Sequence, residues 1–173
     1  AELPETATAL HFGSISLVRE PGATTFEALM RRERGRRVLS LDPNVRPGLI
    51  PDREAYVRRL EGCVGLVDLV KVSRADLAWL YPGTDPEAAV RRWLDAGPSL
   101  VVVTLGADGA FGVSGSLRRD VGGQVVTVAD TVGAGDAFTS GLLGWLESNG
   151  RLTHERLRGL TAAELDAALG QGI

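Results

Sequence analysis

The sequence predicts an α/β fold with a mostly parallel central sheet, and three observations carry that prediction. Short apolar runs bounded by turn residues alternate with stretches of helical period, the pattern of strands joined by crossover helices. With 44% hydrophobic and 24% charged residues and a mean hydropathy of +0.05, the composition is that of a globular protein, with too little excess polarity for long disorder. A length of 173 residues suffices for one domain with a core but not for two ordinary ones.

Leu10 to Ile15 reads as the first strand and Thr24 to Arg34 as a helix with Phe26, Leu29 and Met30 on one face; Pro21 and Gly22 punctuate between them. Val38 to Leu41 is a short strand ended by Asp42-Pro43-Asn44. A helix follows from Asp52 to Glu61 with Tyr56, Val57 and Leu60 inward. After the strand Leu66 to Val72, Ser73 caps a short helix reaching Leu80. Pro82-Gly83 stops it, and Asp85-Pro86 opens another that runs to Ala96. Leu100 to Leu105 is the most strand-like run. Gly106 to Gly109 turns it into a hairpin with Ala110 to Val113, and Gln124 to Val128 supplies another strand. A helix from Ala137 to Glu147 and two short ones, Thr153 to Leu160 and Ala162 to Leu169, complete the pattern.

Several function classes are disfavoured. A formal charge of -3 argues against a nucleic-acid coat, and the basic clusters at Arg31 to Arg37 and Arg58-Arg59 alternate with acids as solvated faces do. The one cysteine, Cys63, forbids an internal disulfide. With only His11 and His154 besides, no zinc cluster is available, and all three are read as structural or surface residues. No apolar run approaches the roughly 20 residues of a membrane span, and the first residues are unlike a leader, so the expected setting is the cytoplasm. The chain starts at Ala1 without Met and stops just after a helical pattern, which suggests a fragment.

The chemistry concentrates in Asp130-Thr131-Val132-Gly133-Ala134-Gly135-Asp136, between a strand and a helix carrying Phe138, Leu142, Leu143, Trp145 and Leu146. Helix N-termini leave N–H groups unpaired and partially positive, and glycines let a charged oxygen approach them, so an anion belongs there. It is no Walker loop, because the only lysine, Lys71, lies in another strand. Nor is it a dinucleotide fingerprint, because Phe138 takes the third small-residue position. A carboxylate at the mouth of an anion pocket repels phosphate unless it has a task, such as taking a proton from an attacking hydroxyl; the alternative for Asp136 is a plain N-cap.

This heptapeptide followed by Ala137-Phe138 resembles the second signature of the PfkB (ribokinase-like) carbohydrate kinases. Leu41 to Arg46, Val70-Lys71-Val72-Ser73 and Val103 to Ala110 are similar to the family's other blocks in order and spacing, so the resemblance covers nearly the whole chain. The Asp42-Pro43-Asn44-Val45-Arg46 block is most similar to the fructokinase and 2-keto-3-deoxygluconate kinase branch. The resemblance implies a ribokinase-like three-layer α/β/α fold, with residues 1–173 a partial domain. The N-terminal strands, the Gly-Gly sugar-binding segment and the β-sheet lid would lie outside it. It also implies ATP-dependent transfer of the γ-phosphoryl to a primary hydroxyl of a sugar, with fructose expected, 2-keto-3-deoxygluconate, a related sugar acid or a nucleoside as alternatives, and little activity in the 173 residues by themselves. A noncatalytic nucleotide-binding module derived from such a kinase is the reading from another class.

By the same resemblance Asp136 would be the general base, and the N–H groups of Gly133, Ala134, Gly135 and Asp136 the anion hole. Asn44 and Arg46 would face the ATP phosphates, although Asp-Pro-Asn also makes an ordinary turn. Thr104, Gly106 and Gly109 correspond to a nucleotide-binding loop, where Asp108-Gly109 is equally a hairpin turn. Magnesium would be held by phosphates, water and one carboxylate. Where the family has Asn-x-x-Glu, this chain has Ser73-Arg74-Ala75-Asp76, which makes Asp76 the candidate ligand and Ser73 a helix cap near the nucleotide. Asp130 corresponds to a monovalent-cation (K+) site in some relatives. The expected partners are sugar and ATP, without nucleic acid or membrane, and with a homodimer as a further expectation because an uncovered sheet edge invites pairing.

Overall fold

The computed structural model describes residues 3–124 and 133–173. Strand β1 (Ala9–Gly13) leads through a 3-10 turn, Ser14–Leu17, to α1 (Gly22–Glu33); β2 (Val38–Asp42) is followed by α2 (Arg53–Val64), and β3 (Leu69–Ser73) by α3 (Arg74–Leu80) and α4 (Pro86–Ala96). Then come β4 (Leu100–Thr104), β5 (Ala110–Ser114), β6 (Leu117–Val121), α5 (Ala134–Ser148), α6 (His154–Arg158) and α7 (Ala162–Gly172). The strands lie side by side in chain order. β1 to β4 are parallel, while β5 and β6 are antiparallel additions at one edge.

Side-chain alternation sorts the core into two layers. Leu39, Leu41, Val70, Val72, Val101 and Val103 face α1 to α4, where Met30, Leu60 and the fully buried Trp93 meet them. Val38, Leu69, Leu100 and Val102 face the other way, against Phe138, Leu142 and Leu146 of α5 and Leu165 and Leu169 of α7. The result is the expected three-layer α/β/α arrangement. On the α5 face the apolar series breaks at the C-terminal strand ends, where Ser40, Asp42 and Lys71 are buried polar residues.

Local chemistry starts most helices. Asp52, Ser73, Asp85, Thr153 and Thr161 each accept a backbone N–H of the first turn on a side-chain oxygen, and Thr161 with Glu164 forms a full capping box. α5 differs: its N-cap is Gly133 at φ +80°, with no side-chain cap.

Four elements differ from the sequence reading. β1 stops at Gly13, where a Cβ would sit 2.7 Å from the Asp42 carbonyl oxygen. β3 starts at Leu69 rather than Leu66, because Leu66 and Val67 donate back to Cys63 and Val64 and extend the end of α2. β6 is unforeseen, since its Leu-Arg-Arg-Asp-Val sequence hides the strand behind charge. Arg119 pairs with both oxygens of Asp166 on α7 at 2.7 and 2.6 Å, and the Arg118 guanidinium lies over the Phe111 ring at 4.3 Å. Charged side chains on an edge strand also discourage further pairing. α5 begins at Ala134, three residues before the expected start, so Asp136 is the third residue of the helix and not its cap. Of the expected strand at 124–128, residues 125–128 fall outside the described residues, and Gln124 has no regular structure.

Candidate active site

A cleft of about 670 Å³ opens at the C-terminal ends of β2, β3 and β4, beside the N-terminus of α5. Its walls bring together Asn44 and Arg46 from the loop after β2, Ser73 and Asp76 from the start of α3, Thr104 and Gly106 after β4, and Gly133, Gly135 and Asp136 from α5. These segments are up to about 90 residues apart in sequence, and parallel strands meet there because each ends at the same edge of the sheet.

The loop after β2 is held from within. Asp42, 3% exposed, accepts the Asn44 N–H on one carboxylate oxygen at 3.0 Å. Asn44 sits at φ +39°, a conformation that asparagine tolerates better than most residues. Its side-chain and main-chain oxygens accept from Arg46 Nη1 at 2.5 and 3.3 Å, and the Val45 carbonyl accepts from the same nitrogen at 3.2 Å. The guanidinium is thereby oriented before any ligand arrives.

Across the cleft Ser73 Oγ accepts the Asp76 N–H at 3.0 Å, which is the helix-cap role expected of it. Burial pushes the Asp76 carboxyl above its usual value, opposed by the Ser73 hydrogen bond and reinforced by the Asp42 charge. A carboxyl raised in this way binds more protons in the folded than in the unfolded state between its ordinary and its raised pKa. Stability from this group is therefore largest at low pH and falls as pH rises through that window. Asp76→Asn is expected to melt a few degrees higher than the parent at pH 7 and to lose that advantage below about pH 4, the ordinary carboxylate range. Thermal melts of both proteins from pH 3 to pH 8 check this, and a constant difference across the range would contradict it.

Two charged residues, Lys71 and Arg74, also line the cleft without having been assigned from the sequence. Arg74 Nη2 donates to the Leu105 carbonyl at 3.2 Å and to Asp108 at 2.9 Å, tying α3 to the turn after β4. Lys71, 4% exposed, donates to Asp42 Oδ2 at 2.9 Å. The available signal was a single charge inside the apolar run Leu69-Val70-Lys71-Val72. His11 is exposed on β1, with Nδ1 3.1 Å from Ser40 Oγ on the same sheet face as Asp42.

Not every predicted residue joins the cleft. Ala134 is the first residue of α5 but does not line the cavity, and Gly109 faces backbone instead: a Cβ there would lie 2.0 Å from the Val121 carbonyl oxygen. Asp130 lies outside the described residues. A second hollow of about 470 Å³, at the opposite end of the sheet between Ser99, Ser114 and Arg158, contains none of the predicted residues. Among the described residues no three His, Cys, Asp or Glu side chains gather as a metal cluster, and no helix is long and apolar enough to cross a membrane.

The chain is similar to known proteins over most of its length. Residues 1–167 match the family described as pfkB family carbohydrate kinase. Fructokinase from Rhizobium leguminosarum bv. trifolii is 43% identical over 159 residues, covering 92% of this chain and 49% of the relative. The crystal structure of fructokinase from Vibrio cholerae O395 in its fructose-, ADP- and calcium-bound form superimposes with a TM-score of 0.81 at 30% identity, over 95% of this chain and 51% of that one. The aminoimidazole riboside kinase from Salmonella enterica, complexed with aminoimidazole riboside and an ATP analogue, gives 0.77 at 27% identity, over 95% and 53%. The chain thus spans about half the length of the curated relatives it matches.

Proposed function

The chain belongs to the pfkB family of carbohydrate kinases, and from that premise we propose that it supplies the nucleotide side and the general base of an ATP-dependent sugar kinase whose acceptor is fructose. The observation that carries this reading is the juxtaposition of Asp136 and the glycine turn of α5 with Asn44 and Arg46 in one cleft.

The chain's own residues account for the main steps. Arg46, pre-oriented by Asn44 and Val45, receives phosphate oxygens, and the planar guanidinium suits them. N–H groups at the start of α5, unpaired within the helix, face the charge that develops on the migrating phosphoryl group. Asp136 accepts the proton of the attacking primary hydroxyl as its oxygen bonds to the γ-phosphorus and the bond to ADP breaks. The half-buried carboxyl of Asp76 lines the cleft and is raised by desolvation, so a cation would favour its charged form; Asp76 is the residue that would share a divalent ion with the phosphates, where the ion neutralises their charge. Magnesium is the ion we assign to that role. The chain spans about half the length of the curated relatives it matches. Because transfer needs the acceptor held in line and water excluded, we expect slow turnover from the 173 residues by themselves.

ADP release measured with ATP, magnesium and a panel of fructose, 2-keto-3-deoxygluconate, ribose and a riboside tests the proposal in the whole protein. Fructose is expected to give the highest kcat/KM. Ribosides belong in the panel because a riboside kinase is among the matching structures. Nucleotide binding without acceptor-dependent ADP release from any of them would favour a noncatalytic nucleotide-binding module instead. Arg46→Ala is expected to raise the KM for ATP about tenfold, the worth of one charged hydrogen-bonding group, with kcat less affected. Arg46→Lys should recover only part of the loss, since an ammonium cannot reproduce the fork held by Asn44. An unchanged KM in Arg46→Ala would remove Arg46 from the phosphate site.

A further inference from the structure

We propose that the buried Lys71–Asp42 pair is a positioning device that sets the start of α5 against the loop after β2, so that both walls of the cleft close on the same phosphoryl group. The proposal rests on the reading of the cleft as a phosphoryl-transfer site.

A buried ion pair is a poor choice for stability alone, because well-packed hydrocarbons of the same shape serve as well or better. The neighbours of this pair on its sheet face, Leu69, Leu100 and Val102, are such hydrocarbons. Its position points to another purpose. One Asp42 oxygen holds the Lys71 ammonium at 2.9 Å and the other holds the Asn44 N–H at 3.0 Å, so a single carboxylate anchors the loop that orients Arg46. On the other side, a Cβ added to Gly135 would lie 2.9 Å from Lys71 Nζ. The ammonium therefore rests against the bare Cα next to Asp136. The missing side chain at Gly135, which the sequence explains by approach of a phosphate oxygen, also makes room for this cation.

The electrostatics run against stability in the same way. A helix N-terminus carries partial positive charge and disfavours a neighbouring cation. Only the Asp42 carboxylate is hydrogen-bonded to Lys71 among the described residues, so Asp42 is what keeps the ammonium beneath the helix end. An anion above Gly133 to Asp136 relieves the opposition between the two positive groups, which couples occupation of the cleft to the alignment of its walls.

The test compares Lys71→Met, Asp42→Leu and the double variant, whose side chains keep the shapes of the originals. Each single variant leaves one buried charge unpaired and is expected to melt well below the parent. The double variant leaves none and should melt within about 3 °C of it. Its kcat should nevertheless fall about 100-fold, with the KM for ATP within about threefold, because alignment and not binding is lost. A second readout needs no turnover. In the double variant, hydrogen exchange of the Ala137 amide, which closes the first turn of α5 on the Gly133 carbonyl and touches neither substituted side chain, should quicken about tenfold. Unchanged exchange at the Ala137 amide, a kcat within threefold of the parent, or a double variant that melts as low as the singles would each overturn the proposal. If the parent phosphorylates none of the sugars tried, the kinase reading fails while the exchange measurement still decides the role of the pair.

Discussion

Asp136→Asn in the whole protein is expected to lower kcat for sugar phosphorylation about 10³-fold, within the range that a positioned general base contributes. The amide has nearly the shape of the carboxylate but takes no proton at neutral pH. Because Asp136 is the third residue of α5 and the cap is Gly133, the substitution removes no cap. It forfeits only the attraction between a carboxylate and the helix N-terminus, about 0.5 kcal/mol at such an exposed position. Melting should therefore change by a few degrees at most. The KM for ATP should stay level or fall, since a negative charge beside the phosphates has been removed. Steady-state kinetics with fructose as acceptor, together with a melt and an ATP titration, separate these effects. Equal turnover in parent and variant would assign Asp136 to a structural role and return the chain to the noncatalytic reading.

The second large effect concerns stability. Gly109→Ala is expected to cost about 3–5 kcal/mol and to lower the melting temperature by about 10 °C, whereas Gly106→Ala should cost about 1 kcal/mol. Both glycines have positive φ, +96° and +68°, but their surroundings differ. A Cβ at Gly106 meets nothing within 4 Å, while one at Gly109 would lie 2.0 Å from the Val121 carbonyl oxygen and 2.5 Å from the Gly123 nitrogen. Those are backbone atoms at the end of β6, so relief requires separating the end of β6 from the β4–β5 turn. The Leu105 N–H, which donates to the Gly109 carbonyl at 2.7 Å, would move as well. The ranking should reverse for nucleotide affinity, because Gly106 lines the cleft and Gly109 does not. Melts and ADP titrations of the two variants check both orders, and a Gly109→Ala protein as stable as Gly106→Ala would show that the β4–β5 turn yields more easily than its contacts imply.

Much of this was legible in the residues. Ser73, Asp52 and Asp85 announce their helices because a cap is a contact between neighbours in sequence, and the structure shows each making that contact. The apolar runs of β2, β3 and β4 announce strands because both faces of a parallel sheet are covered. β6 was not legible. Its arginines answer to Phe111, Glu87 and Asp166, partners that only the folded chain supplies. The start of α5 is hidden in the sequence because glycine has poor helix propensity, yet Gly135 lies within the first turn, where Lys71 sits against it.

The sequence by itself determined the fold class, the order of elements and the segments that carry chemistry, since these depend on periodicity and on contacts a few residues long. Only the tertiary structure decided how those segments meet. It paired Lys71 with Asp42 across 29 residues, set Arg74 against Asp108, and sent Gly106 into the cleft while turning Gly109 toward the backbone of β6. The physical reason is one of range. Propensity, caps and turns act along the chain, whereas the register between strands and the close approach of backbones arise only when two core layers pack at once.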